Sequence, residues 1–114
     1  MKAYFINARE KTITAFDYGG NWRDIPTKIG CLWLRSFSLW RYAQDGIYYD
    51  AEPHPDEATH PNGSFYVTVE AMNGSTAQKV IFGNGVVLGE DDDGTDVAVN
   101  MDIETLSTLI SFPD

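Results

Sequence analysis

From residue 32 to residue 43 the chain is almost entirely β-formers and aromatics, and the dipeptide Asp45-Gly46 then leads into Ile47-Tyr48-Tyr49. Asp-Gly favours the positive backbone angles that fold one strand back on its neighbour, so this stretch reads as a hairpin carrying the longest strand. The same punctuation recurs along the chain. Residues 2–7 and 11–16 are short apolar-rich runs separated by Ala8-Arg9-Glu10, an opening hairpin. Residues 64–70 and 78–82 alternate apolar with polar and are joined through Asn73-Gly74-Ser75; residues 86–89 form another strand, followed by an acidic turn and a short strand at 97–99. No strand–helix alternation supports a parallel core.

Two helices punctuate the strands. After Gly19-Gly20, Asn21 can cap a short helix running to about Ile29, where Pro26 is tolerated only in the first turn. A second helix starts at Asp102, which fits an N-cap. Met101 and Leu106 occupy the two positions of a hydrophobic staple, Glu104 suits the positive helix end, and Ile103, Leu106, Leu109 and Ile110 give the apolar stripe. The expected class is α+β: a mainly antiparallel sheet built from hairpins, with a short helix in the N-terminal half and a C-terminal helix packed on it. A chain of 114 residues is one domain, 1–114, able to bury roughly two thirds of its unfolded surface.

The acids and bases are unevenly distributed. Residues 1–43 hold seven of the eight basic side chains against three acids, whereas residues 44–114 hold fourteen acids against Lys79 alone. Such asymmetry implies either a bipolar surface with one binding face or two halves that complement each other in the fold. The net charge of −9 argues against direct binding to nucleic acid or an anionic membrane, which needs a basic footprint. The apolar run at residues 3–6 is too short for a signal-peptide core or a membrane span, so a cytoplasmic protein is expected. A lone Cys31 forms no internal disulfide, and its apolar setting suits a small buried side chain better than a nucleophile.

Period-two alternation in the aromatic strand puts Trp33, Arg35, Phe37, Leu39 and Arg41 on one face. Rings can stack on a base, and guanidinium forks hold phosphate oxygens, so this face suits a nucleotide; an aromatic, basic outer face can equally serve packing or self-association. His54 and His60 flank Asp56 and Glu57 in a Pro-rich loop over residues 51–63, a candidate lid. No metal is expected there, because a structural zinc site normally recruits cysteines or further histidines. A second candidate surface is the acidic run Glu90, Asp91, Asp92, Asp93 and Asp96. It fails as a calcium loop: with Gly94 at the sixth position, the first falls on Gly89 and the twelfth on Asn100. Gly83, Gly85 and Gly89 lack dinucleotide-fingerprint spacing, and no nucleophile-elbow or P-loop spacing appears, so nothing supports a catalytic residue or a cofactor.

Several segments, in order, resemble the uncharacterised family catalogued as domain of unknown function 3846. They are the opening Met1-Lys2-Ala3-Tyr4-Phe5-Ile6-Asn7, then Ile29-Gly30-Cys31, then Gly46-Ile47-Tyr48-Tyr49-Asp50, then Asn84-Gly85-Val86-Val87-Leu88-Gly89 before an acidic turn, and finally Ile103-Glu104-Thr105-Leu106 before Ile110-Ser111-Phe112. The resemblance spans most of the chain and rests on order and spacing, since each motif is short. It implies a product of phages or other bacterial mobile elements and transfers no catalytic residues. The chain departs from that pattern in its aromatic strand and its His- and Pro-containing loop.

The functional expectation is a noncatalytic accessory protein that counteracts a host system, an antiviral defence, from the cytoplasm of an infected bacterium. One mechanism sequesters a nucleotide signal in a homo-oligomer, through Trp33, Arg35, Phe37 and Arg41 with the loop of His54 and His60 closing over it. The alternative docks the acidic residues on a basic host nucleoprotein as a nucleic-acid mimic. An enzyme degrading such a nucleotide is the third class.

Overall fold

The computed structural model describes residues 1–39, 42–52, 63–70 and 73–113, with 42 and 43 described by backbone alone. Strands β1 (Lys2–Asn7) and β2 (Thr12–Asp17) form the opening hairpin. Asn7 Oδ1 accepts the Glu10 N–H at 2.9 Å inside the connection, and Lys11 closes it with φ 58°, in the left-handed region that few non-glycine residues adopt. Helix α1 (Asp24–Ile29) follows, with Pro26 in its first turn, where no intrahelical N–H is lost. Asn21 does not cap the helix itself: Arg23 is the N-cap residue, and Asn21 Oδ1 accepts the Arg23 N–H at 3.2 Å one step earlier. Gly30, with φ 86°, ends the helix by donating its N–H to the Pro26 carbonyl.

Strands β3 (Leu34–Leu39) and β4 (Tyr42–Asp50) pair antiparallel, then β5 (Ser64–Glu70) and β6 (Thr76–Phe82) form a separate hairpin. β7 (Gly85–Glu90), β8 (Asp96–Val97), α2 (Ile103–Leu109) and β9 (Ile110–Ser111) complete the described elements. The chain is therefore α+β and mainly antiparallel, but its strands make two sheets. One runs β2-β1-β7-β4-β3 with β8 paired to β7; the other runs β6-β5-β9.

The expected turn at Asp45-Gly46 is not a turn. Both residues lie inside β4, paired with Gly89 and Leu88 of β7, since β3 ends at Leu39 and β4 already begins at Tyr42. The absent Cβ of Gly46 serves close approach instead: an added Cβ would lie 3.1 Å from the Phe37 carbonyl oxygen, beside the irregularity in pairing between Ser38 and Leu39. The apolar stripe ending the second helix is likewise split. The helix stops at Leu109, and Ile110 turns extended to pair with Val67.

β7 is the centre of the larger sheet. Its continuous apolar run is buried on both faces, Val87 toward one core cluster and Val86 and Leu88 toward the other. The first cluster joins Tyr4, Ile6, Ile47 and Val87 to Phe65, Val67 and Ile81 of the smaller sheet and to Leu106 of α2. The second joins Ala3, Val86 and Leu88 to Ile25 and Ile29 of α1 and to Tyr18. At about 25 cal/mol per Å² of apolar area, each fully buried Ile, Leu or Phe contributes roughly 1.5–3 kcal/mol. The α2 start is built as its sequence implies: Asp102 accepts the Thr105 N–H at 2.8 Å, and Met101 and Leu106 are both buried in the first cluster. No helix among the described residues is long and apolar enough to cross a membrane.

Candidate functional site

Of the residues expected to make a ligand face, Trp33, Arg35 and Phe37 are described; Arg41, His54 and His60, and with them most of the loop over residues 51–63, lie outside the described residues. Trp33 is 68% exposed and Arg35 is exposed, while Phe37 is half-buried against the first core cluster. The Ala51 N–H donates to the Trp33 carbonyl at 2.8 Å, continuing the β3–β4 ladder one residue before β3. Trp33 itself lies in a bend just before β3, with its indole exposed to solvent.

That face gains two residues from elsewhere. Tyr49 on β4 sits directly across from Arg35, and its ring meets Phe37 edge-on, with centroids 5.8 Å apart. Lys79 arrives from the other sheet. In the β5–β6 register Phe65 pairs with Ile81 and Val67 with Lys79, so Lys79 shares the β6 face of the core residue Ile81, although its own side chain is exposed. Its Nζ lies 4.4 Å from the Phe37 ring centroid and 5.4 Å from that of Tyr49. Cation–π attraction of this kind is worth about 0.5–1 kcal/mol at exposed sites. No carboxylate among the described residues forms an ion pair with Arg35 or Lys79. Two cations and two packed rings therefore share one face, with an exposed indole in the bend just before β3, an arrangement suited to an anion attached to a planar group.

Sequence reasoning missed Tyr49 and Lys79. The signal for Lys79 was present: its place in the alternation of β6, and its standing as the sole base among the acids of residues 44–114.

The acidic residues occupy a single turn but divide into two roles. Asp91 Oδ1 accepts the N–H groups of Asp93 at 3.0 Å and Thr95 at 2.9 Å, Asp91 N–H donates to the Thr95 carbonyl, and Gly94 has φ 82°. Asp91 thus shapes the turn, and the exposed Glu90, Asp92 and Asp93 stand outside it. Asp96 is half-buried and accepts the Tyr48 hydroxyl at 2.7 Å. Tyr48, Glu90 and Asp96 line a groove of about 150 Å³ with Ser36 and Ser38, on the side of β3 away from Arg35. The two candidate surfaces are back to back across β3.

Tyr48 holds its proton well above the usual phenol range, first because burial disfavours the anion and then because Asp96 accepts its hydrogen bond and repels the charge. Burial, followed by the charges of Asp50 and Glu52, pushes the Cys31 thiol up to about 11. Cys31 is therefore a protonated, weakly reactive thiol at neutral pH. No family model, curated protein or solved structure matches the chain.

Proposed function

We propose that the protein acts by binding, as a phage-type accessory protein that counteracts a host antiviral defence by sequestering a phosphate-bearing nucleotide signal at the Arg35, Phe37, Tyr49 and Lys79 patch. The mobile-element context rests on the family resemblance, and the cytoplasmic setting on the short apolar run at residues 3–6. One observation carries the site. In a chain of net charge −9, the only base of residues 44–114 is packed across the space between two sheets onto Phe37 and Tyr49, on the face that bears Arg35. Arg35 and Lys79 would hold phosphate oxygens, and Trp33 offers a stacking surface worth about 1–3 kcal/mol per base.

Native mass spectrometry with a panel of linear and cyclic nucleotides tests this, with each nucleotide's integrity checked afterwards. A stoichiometric complex with intact ligand is expected, its mass giving the oligomeric state. Arg35→Glu with Lys79→Glu should abolish it, while Asp92→Asn with Asp93→Asn should leave it unchanged. Product exceeding one equivalent per chain would make the protein an enzyme instead.

The acidic turn favours a second reading, docking on a basic host nucleoprotein surface. The Asp91 hydrogen bonds fix the backbone of the turn that carries Asp92 and Asp93, which lowers the ordering cost of association. In that case neutralising Asp92 and Asp93 abolishes inhibition of the host system and reversing Arg35 and Lys79 does not.

A further inference from the structure

Asn73 and Asn84 are each followed by glycine, and the fold treats them in opposite ways. Asn84 is fastened at both ends of its amide: Oδ1 accepts the Ala8 N–H at 2.9 Å, and Nδ2 donates to the Ile29 carbonyl at 3.4 Å. Its successor, Gly85, is buried in β7 between Ile6 and Tyr49, where an added Cβ would lie 3.0 Å from the Phe65 ring. Asn73 lies in the exposed turn between β5 and β6. Its Oδ1 accepts two hydrogen bonds from one residue, the Ser75 N–H at 3.0 Å and the Ser75 hydroxyl at 2.6 Å. Gly74 has φ 85°, nothing lies within 4 Å of where its Cβ would be, and its N–H donates to no group among the described residues.

We propose that Asn73 is a site of spontaneous intramolecular deamidation, primed by Ser75. Two donors on Oδ1 draw electron density from the amide carbon and stand ready to hold an oxyanion there, the arrangement that stabilises tetrahedral intermediates of acyl transfer. The Gly74 nitrogen, once solvent base has taken its proton, attacks Asn73 Cγ and forms a C–N bond. Negative charge collects on Oδ1 between the two Ser75 donors. The Cγ–Nδ2 bond then breaks, and the nitrogen leaves with a proton as ammonia, closing a five-membered succinimide. Water opens the ring at either carbonyl, giving aspartate or isoaspartate. One water enters and one ammonia leaves, with no change of oxidation state. The product adds a negative charge to the turn that leads into β6, and the isoaspartate form lengthens the backbone there by one carbon.

The purified chain is aged in mildly alkaline buffer and followed by intact mass, with peptide mapping to separate Asn73 from Asn62 and Asn84. A gain of about one dalton at Asn73, with Asn84 unchanged, is expected. Ser75→Ala should slow conversion at Asn73 by roughly threefold or more, a modest loss for an oxyanion donor because the turn is open to water. Circular dichroism shows whether the variant keeps the fold. An unchanged rate in folded Ser75→Ala overturns the role of Ser75. An intact Asn73 in aged protein whose excised turn peptide does deamidate overturns the site itself.

Discussion

Asp45 Oδ2 accepts the backbone N–H of Met101 at 2.8 Å, across 56 residues of sequence, while Oδ1 takes the Asn100 N–H at 2.8 Å and its side-chain Nδ2 at 3.0 Å. The carboxylate is 1% exposed and ties β4 to the segment that launches α2. Replacing Asp45 with alanine strands three donors, two of them backbone N–H groups, and should cost roughly 2–4 kcal/mol. Asp45→Asn should fall short of full rescue, because its amide turns an NH₂ toward a donor. Urea unfolding measures both; a loss below about 0.5 kcal/mol for the alanine variant would mean that neighbours or water replace the carboxylate.

The same residue shows where the sequence was legible and where it was not. The β1–β2 hairpin and the β5–β6 pairing follow from local alternation and turn residues, and so does the cap at Asp102, because each signal lies within a few residues of its partner. Asp45-Gly46 carries an equally strong local signal that the fold overrides. Three donors from residues 100 and 101 hold the aspartate in a strand, and the glycine admits the Phe37 carbonyl. Likewise, Arg35 and Phe37 were readable as one strand face, but Lys79 joins them only once a second sheet lies across the first. Long-range pairing decides such details, and no short window contains it.

Tyr18 supplies a prediction of opposite sign to that of Asp45. The side chain is 2% exposed in the second core cluster, and its hydroxyl has no hydrogen-bond partner among the described residues. A buried, unsatisfied hydroxyl costs about 1–3 kcal/mol. Tyr18→Phe keeps the ring and removes that penalty, so the variant should be more stable, by about 1 kcal/mol in urea unfolding. Destabilisation of similar size would show that the hydroxyl is satisfied in solution, by a bound water or by movement of a neighbour.

Alkaline pH should destabilise the fold more than its surface charge alone implies. Tyr48 and Tyr18 are both raised above the phenol value of 10.0, chiefly by burial, and Cys31 is raised from 9.0 to about 11. Each binds its proton more tightly folded than unfolded. Their contribution is fully present below the unfolded value, and it is lost as pH rises from there through the folded value. The urea midpoint should therefore fall from about pH 9 upward, first through Cys31 and then through the phenols. Tyr48→Phe lowers the whole curve by removing the hydrogen bond to Asp96, so the diagnostic quantity is slope: it should be shallower above pH 10 than in the parent chain. Parallel curves would place the titrating groups elsewhere.

Lys79 can be tested for ligand binding separately from packing. Its Nζ lies over the Phe37 and Tyr49 rings, and a methionine would keep an unbranched chain of similar reach while removing the charge. Lys79→Met should therefore stay within about 1 kcal/mol of the parent stability, losing only an exposed cation–π contact and gaining apolar burial. A role confined to packing leaves nucleotide binding untouched in this variant. A role as phosphate ligand predicts a loss of affinity of roughly tenfold or more, the scale of one charge-assisted hydrogen bond at about 1.5–3 kcal/mol. Lys79→Arg should recover much of that loss, since it restores the charge and its donors. Isothermal titration beside urea unfolding reads both quantities on the same samples. Unchanged affinity in Lys79→Met together with a stability loss above about 1 kcal/mol would confine Lys79 to its contact with the Phe37 and Tyr49 rings, and would remove it from the ligand site.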